Sequence, residues 1–170
     1  HSGVKCSRMK SVPSDPVKFD PQAIAIRYYF GDLNYWQLPA ICVEALERGF
    51  DGKALRIIAG LVNPTARDIR QEEINSAFSD MGVNAPIPKE EARLALATEA
   101  ARRALSGESN VFHEATHIRL HICELHQPPP ELQAIVALSR ESEHAARWKW
   151  AHLEGQLHAA LSDFLRTRGE

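Results

Sequence analysis

The chain has 170 residues, 44% of them hydrophobic and 25% charged, with a formal net charge of −2. That length suits one domain with a proper core, and no run approaches the roughly 18 apolar residues that a membrane helix requires. The first residues have neither the apolar centre nor the cleavage site of a secretory signal.

Residues 1–18 are polar, carry Pro13 and Pro16, and show no periodicity. They read as a flexible leader, in part a tag remnant, ahead of a single helical domain over 19–170. Asp20-Pro21 then starts a first helix, with an N-cap carboxylate followed by proline in the first turn. Ile24, Ile26 and Tyr28 carry it to a stop near Gly31. A second helix is expected over Tyr35–Arg48, with Leu38, Ile41, Cys42, Ala45 and Leu46 on one face and Gly49 past its end. Pro39 is tolerable only near the start of that helix. A brief third helix lies between Gly52 and Gly60. A fourth, over about 66–81, follows the Asn63-Pro64-Thr65 break and ends at Gly82.

Residues 88–106 are strongly helical, with Glu90 and Glu91 at the start, Arg102 and Arg103 at the end, and Gly107 as terminator. Their alanines permit close helix contact. Asn110–Leu125 forms a sixth helix, closed by Pro128–Pro130, and a last helical region covers about 130–167 with a break expected near Ser139. No strand alternation and no Gly-rich phosphate loop appear. The expectation is an all-α, single-domain bundle of six to eight helices joined by short loops.

Charge is unevenly spread. Residues 1–18 carry +3 and the remaining body −5, with 12 acidic against 8 basic residues between 19 and 100. A moderately acidic body disfavours nucleic acid and suits a basic partner. Cys6, Cys42 and Cys123 are an odd, widely spaced set without a C-x-x-C pair. They read as reduced thiols of a cytoplasmic protein, Cys42 and Cys123 acting as small core hydrophobes.

His113-Glu114-Ala115-Thr116-His117 matches the H-E-x-x-H pattern of zinc metalloproteases, in which both histidines ligate the metal and the glutamate is the general base. On a helical wheel His113, His117 and His121 fall at roughly 0°, 40° and 80°, while the apolar face centres near 160°. The histidines therefore share the polar side with Glu114 and Glu124. The metzincin spacing fails, since position 120 is leucine and position 123 cysteine. Glu141 and Glu143 are the nearest candidates for a further ligand, and Cys123 is another. Zincins set this helix beside a sheet, and no strand is foreseen here. The pentapeptide is read as coincidence, and neither a cofactor nor a resident metal is expected.

The last helix carries a core stripe of Trp150, Leu153, Leu157, Leu161 and Phe164. Trp148, about 200° away, groups instead with His144, Ala145 and His152. Either a second layer buries it, or it stays partly exposed and serves with Arg147 as an interface anchor. Tyr35 and Trp36 are expected to pack.

The stretches ALERGFDGKALRIIAGL (45–61) and SAFSDMGVNAPIPKEEARLALATEAARRALSGE (76–108) resemble a family of small all-helical bacterial proteins. The likeness spans about residues 20–125 and rests on structural motifs. Some members resemble immunity proteins that block a cognate toxin by binding it. The resemblance implies a non-enzymatic protein-binding domain with a protein partner, a cationic toxin domain being the candidate. Asp68, Glu72 and Glu73 are candidate contacts on one side, and His144, Arg147 and Trp148 on the other. A zinc hydrolase using His113, Glu114 and His117, and a helical adaptor without a toxin partner, are the alternatives. No membrane partner is foreseen.

Overall fold

A computed structural model of the chain describes residues 19–123 and 127–169; the expected leader, Cys6 and Glu124 lie outside them. Within that range the chain is all helical: α1 (Pro21–Phe30), α2 (Leu38–Glu47), α3 (Lys53–Ala59), α4 (Gln71–Asp80), α5 (Lys89–Leu105), α6 (Val111–His117), α7 (Gln133–His144) and α8 (Trp150–Thr167). No strand occurs among the described residues. No helix there is long and apolar enough to cross a membrane.

Local chemistry accounts for most helix ends. Asp20 caps α1 by accepting from the backbone N–H groups of Gln22 (3.0 Å) and Ala23 (3.2 Å), satisfying donors that the first turn leaves free. Gly31 ends the helix at φ 112°, a left-handed conformation that favours glycine. Pro39 is accommodated because a short 3-10 turn, Tyr35–Gln37, delivers the chain to α2 just before it.

The fourth helix begins later than its periodicity predicts. Asp68 accepts from both the backbone N–H and the hydroxyl of Thr65, each at 2.7 Å. Those bonds hold residues 65–68 as a turn, which competes with helix. The first helical residue is therefore Gln71, and Glu73 reaches back to the N–H of Arg70 at 3.0 Å.

Two core clusters divide the apolar side chains. The first gathers α1–α4 with the loop before α5, around Phe78, Leu55, Ile58 and Ile74. Tyr28 and Tyr29 both lie 5.6 Å from the Phe78 ring, and the Tyr29 hydroxyl donates to Asn75 Oδ1 at 2.6 Å. The second cluster joins α5–α8 around Ile118, Ile122, Leu132, Ile135, Leu157, Leu161 and Phe164. Helix α5 runs between them: Ala92 sits in the first cluster, Ala97, Ala100, Ala101 and Ala104 in the second, and Leu96 touches both. Alanines let neighbouring backbones approach closely, which is how one helix serves two layers.

Two further departures from the sequence reading concern the C-terminal part. The long helical region breaks at Ala145-Ala146, not at Ser139. Both alanines are extended, with ψ 136° and 147°, and Ser139 is wholly buried inside α7. Helix α6 is also shorter than expected. After His117 the chain loosens into a π turn over Ile118–Ile122, marked by the bond from Cys123 N–H to the Ile118 carbonyl at 2.8 Å.

Candidate functional site

The H-E-x-x-H residues lie in α6, and the last of them, His117, lines a cleft of about 520 Å³ between α1, α5 and the π turn. Asn110 caps α6 by accepting from the N–H groups of Phe112 and His113. Val111, Ala115 and Ile118 turn the helix into the second core. This fixes where the polar side chains point.

Glu114 does not share the solvated side with the histidines. It is only 4% exposed and faces α5, where Arg103 grips it with two bonds, Nε to Oε1 at 3.2 Å and Nη2 to Oε2 at 2.9 Å. The same guanidinium donates to Glu99 at 3.1 Å. Burial alone would raise the Glu114 carboxyl. The Arg103 and Ser109 hydrogen bonds and the nearby positive charge outweigh it and hold the group below its ordinary range. A carboxylate held ionised between two guanidinium nitrogens is a poor proton acceptor for a metal-bound water.

The remaining members of the motif disperse. His113 is exposed, His117 is half-buried and His121 is exposed. Glu143, a candidate further ligand, forms an ion pair with Arg119, whose Nε also donates to Ser139 Oγ at 3.1 Å. Glu141 stays on the solvated side of α7. Cys123 is buried in the second core, and burial raises its thiol above the ordinary value. Among the described residues no three His, Cys, Asp or Glu side chains gather where they could hold a metal ion. The zincin ligand set does not fit this arrangement.

What the cleft does hold is an imidazole pair. His117 and His121 lie with ring centres 5.2 Å apart and planes tilted by 34°. Arg27, Asp32, Glu99 and Arg103 line the same space over an apolar floor that includes Phe30 and Leu96. Burial pushes His117 below its ordinary value, against the opposing pull of Glu114.

A second candidate surface lies on the α7–α8 connection. Ala146 to His152 form an unbroken exposed run. Trp148, 79% exposed, stands at the centre of a 3-10 turn, Arg147–Lys149, with Lys149 Nζ 5.4 Å from its ring centre. Trp150, expected in the core stripe, is 49% exposed. Its indole N–H donates to the Ala145 carbonyl at 3.3 Å, and its ring lies 5.7 Å from that of Phe112. Those two contacts hold the indole at the surface. His144 and Arg147 are exposed on the same knuckle. Trp36 is also exposed, at 61%, while Tyr35 packs against Tyr28.

The acidic candidates stand elsewhere. Asp68, Glu72 and Glu73 surround the start of α4, which packs on α3 in the first cluster, whereas the knuckle belongs to the second. Asp68 and Glu73 are already used as caps, and those hydrogen bonds lower both carboxyls. They remain charged near neutral pH. Comparison with protein-family models, with curated proteins and with solved structures gave no match. Sequence reasoning missed Arg103 as the partner of Glu114, having read it only as a complement to the helix dipole. It also missed Lys149 and Trp150 as surface groups. The alternation Arg147-Trp148-Lys149-Trp150 was the available signal.

Proposed function

We propose that this chain is a non-enzymatic protein-binding domain, specifically an immunity-type protein that neutralises a bacterial toxin by covering it in the cytoplasm. The observation that carries the reading is Trp148, an indole 79% exposed beside a half-exposed Trp150 and flanked by Arg147 and Lys149. Tryptophan and arginine dominate binding hot spots, tryptophan through a large rigid ring with few torsions to freeze and arginine through a planar guanidinium that makes several directed contacts. The knuckle is also anchored, by the Trp150 hydrogen bond to the Ala145 carbonyl and its ring contact with Phe112, so docking costs little reordering.

The acidic group at Asp68, Glu72 and Glu73 lies in the other half of the fold. Its part in this reading is long-range attraction of a cationic partner, which raises the rate of encounter. The commitment of Glu114 to Arg103 and the resemblance noted in residues 45–61 and 76–108 support the non-enzymatic reading.

Co-expression with the product of the neighbouring gene tests it. The expected result is a stoichiometric complex and rescue of growth when that product is toxic, with both lost in Trp148→Ala. Rescue by Trp148→Ala at the wild-type level, or no complex at all, overturns the proposal.

A further inference from the structure

From His144 to His152 the chain carries Arg147 and Lys149 and no aspartate or glutamate. Neither cation has an ion-pair partner among the described residues. Arg119, which reaches α7 from the π turn, is by contrast paired with Glu143. Lys149 lies over the indole of Trp148, with Nζ 5.4 Å from the ring centre, so the cation rides on the face of the ring. The two side chains therefore approach any surface as one unit. A surface that buries the indole also strips water from the ammonium, and from Arg147 one residue earlier. A desolvated charge without a partner weakens a complex. Whatever receives this knuckle must bring anionic groups to the mouth of an apolar recess.

The geometry separates the sources of such groups. A single-stranded nucleic acid needs successive free ring faces along a charged groove. Here Lys149 covers one face of Trp148, and Trp150 lies against Phe112 at 5.7 Å with its N–H turned back to Ala145. A bilayer surface is held by clusters of basic residues with several interfacial aromatics, and the knuckle offers two cations and one free indole. A carboxylate-lipped pocket on a folded protein suits a single projecting ring of this kind.

We infer that the partner receives Trp148 in an acidic recess, whose carboxylates pair with Arg147 and Lys149 at the lip. The inference rests on the knuckle being the partner surface. It gives the partner two signs of charge. The partner is cationic at large, where Asp68, Glu72 and Glu73 draw it in, and acidic at the point of anchorage.

Rate measurements on the complex with the product of the neighbouring gene test the inference. Charge pairs closed off from water act mainly on dissociation, whereas steering charges act on association. The Arg147→Gln/Lys149→Gln double variant alters two exposed positions and should keep the wild-type denaturation midpoint. It should dissociate about tenfold faster or more, with its association rate little changed. Arg147→Glu/Lys149→Glu should dissociate faster still. Dissociation at or below the wild-type rate in both, with Trp148→Ala still abolishing the complex, overturns the inference and leaves the binding reading standing. No wild-type complex, or one indifferent to Trp148→Ala, overturns both. Vesicles rich in phosphatidylglycerol and an oligothymidylate are the remaining probes. Trp148-dependent capture of either overturns the inference by giving the knuckle to the phosphates of lipid or nucleic acid.

Discussion

Arg103 and Glu114, eleven residues apart on adjacent helices, form a two-bond ion pair that crosses the α5–α6 junction with the carboxylate almost fully buried. The residue that resembles a general base is thus a structural bolt. Removing one partner from such a pair leaves the other desolvated and unmatched. Glu114→Ala is expected to cost about 3 kcal/mol in urea denaturation. The Arg103→Ala/Glu114→Ala double variant should cost less than the two single changes together. A purely catalytic Glu114 would leave the denaturation midpoint unmoved.

The same pair gives the protein an acid limit. The folded-state pKa of Glu114 lies below its ordinary value of 4.5, so near that value the unfolded chain binds more protons than the folded one. The stabilisation is then complete above about pH 4.5 and is lost as pH falls through the lower folded-state value. Thermal melts from pH 7 to pH 3 in the presence of EDTA should show this decline. Glu114→Gln should melt lower at neutral pH and fall less steeply below pH 4.5.

Gly52 precedes α3 with an extended backbone, so its identity is set by space and not by conformation. A Cβ built there would come within 1.9 Å of Asp80 Oδ2, a carboxylate oxygen that is buried without a hydrogen-bond partner. Gly52→Ala must displace the Asp80 side chain and is expected to destabilise by about 1–3 kcal/mol. In an Asp80→Ala background the same change should be nearly neutral, because the obstacle is gone. Additive losses in the two backgrounds would refute the steric account.

Trp148 should separate folding from binding. Its indole is largely outside the core, so Trp148→Ala should change stability by no more than about 0.5 kcal/mol. Its effect on partner affinity should be about 2 kcal/mol or more, roughly thirtyfold. Trp36→Ala, also at an exposed tryptophan but one without flanking cations, should leave affinity unchanged. Fluorescence-monitored denaturation and a binding titration on the same variants decide between these outcomes.

Much of the architecture was legible in the residues themselves. The Asp20-Pro21 start, the Gly31 and Gly107 stops, and the alanine face of α5 all express local preferences that the tertiary structure does not contradict. Where the reading failed, side-chain hydrogen bonds had intervened, some within a few residues and some between helices. The break at Ala145-Ala146 carries no glycine or proline; it is held by the Trp150 indole bonding back to the Ala145 carbonyl. Ser139 looked like a breaker but is buried, accepting a bond from Arg119. The wheel placed Glu114 about 100° from His113, within roughly 60° of the apolar face. Whether it turned inward depended on a cation that only α5 could bring. The π turn left no periodic trace, although the wheel had already set His117 and His121 on one side.

The buried methyl face of α5 has an evolutionary corollary. Ala97, Ala100 and Ala101 are each at 0% exposure and Ala104 at 3%, so none can lengthen without prising neighbouring helices apart. Drift in descendants of this chain must be channelled to the rim, where the knuckle and the capped start of α4 lie. A protein fixed along one inner rod and free at its edges can change its surface while keeping its shape.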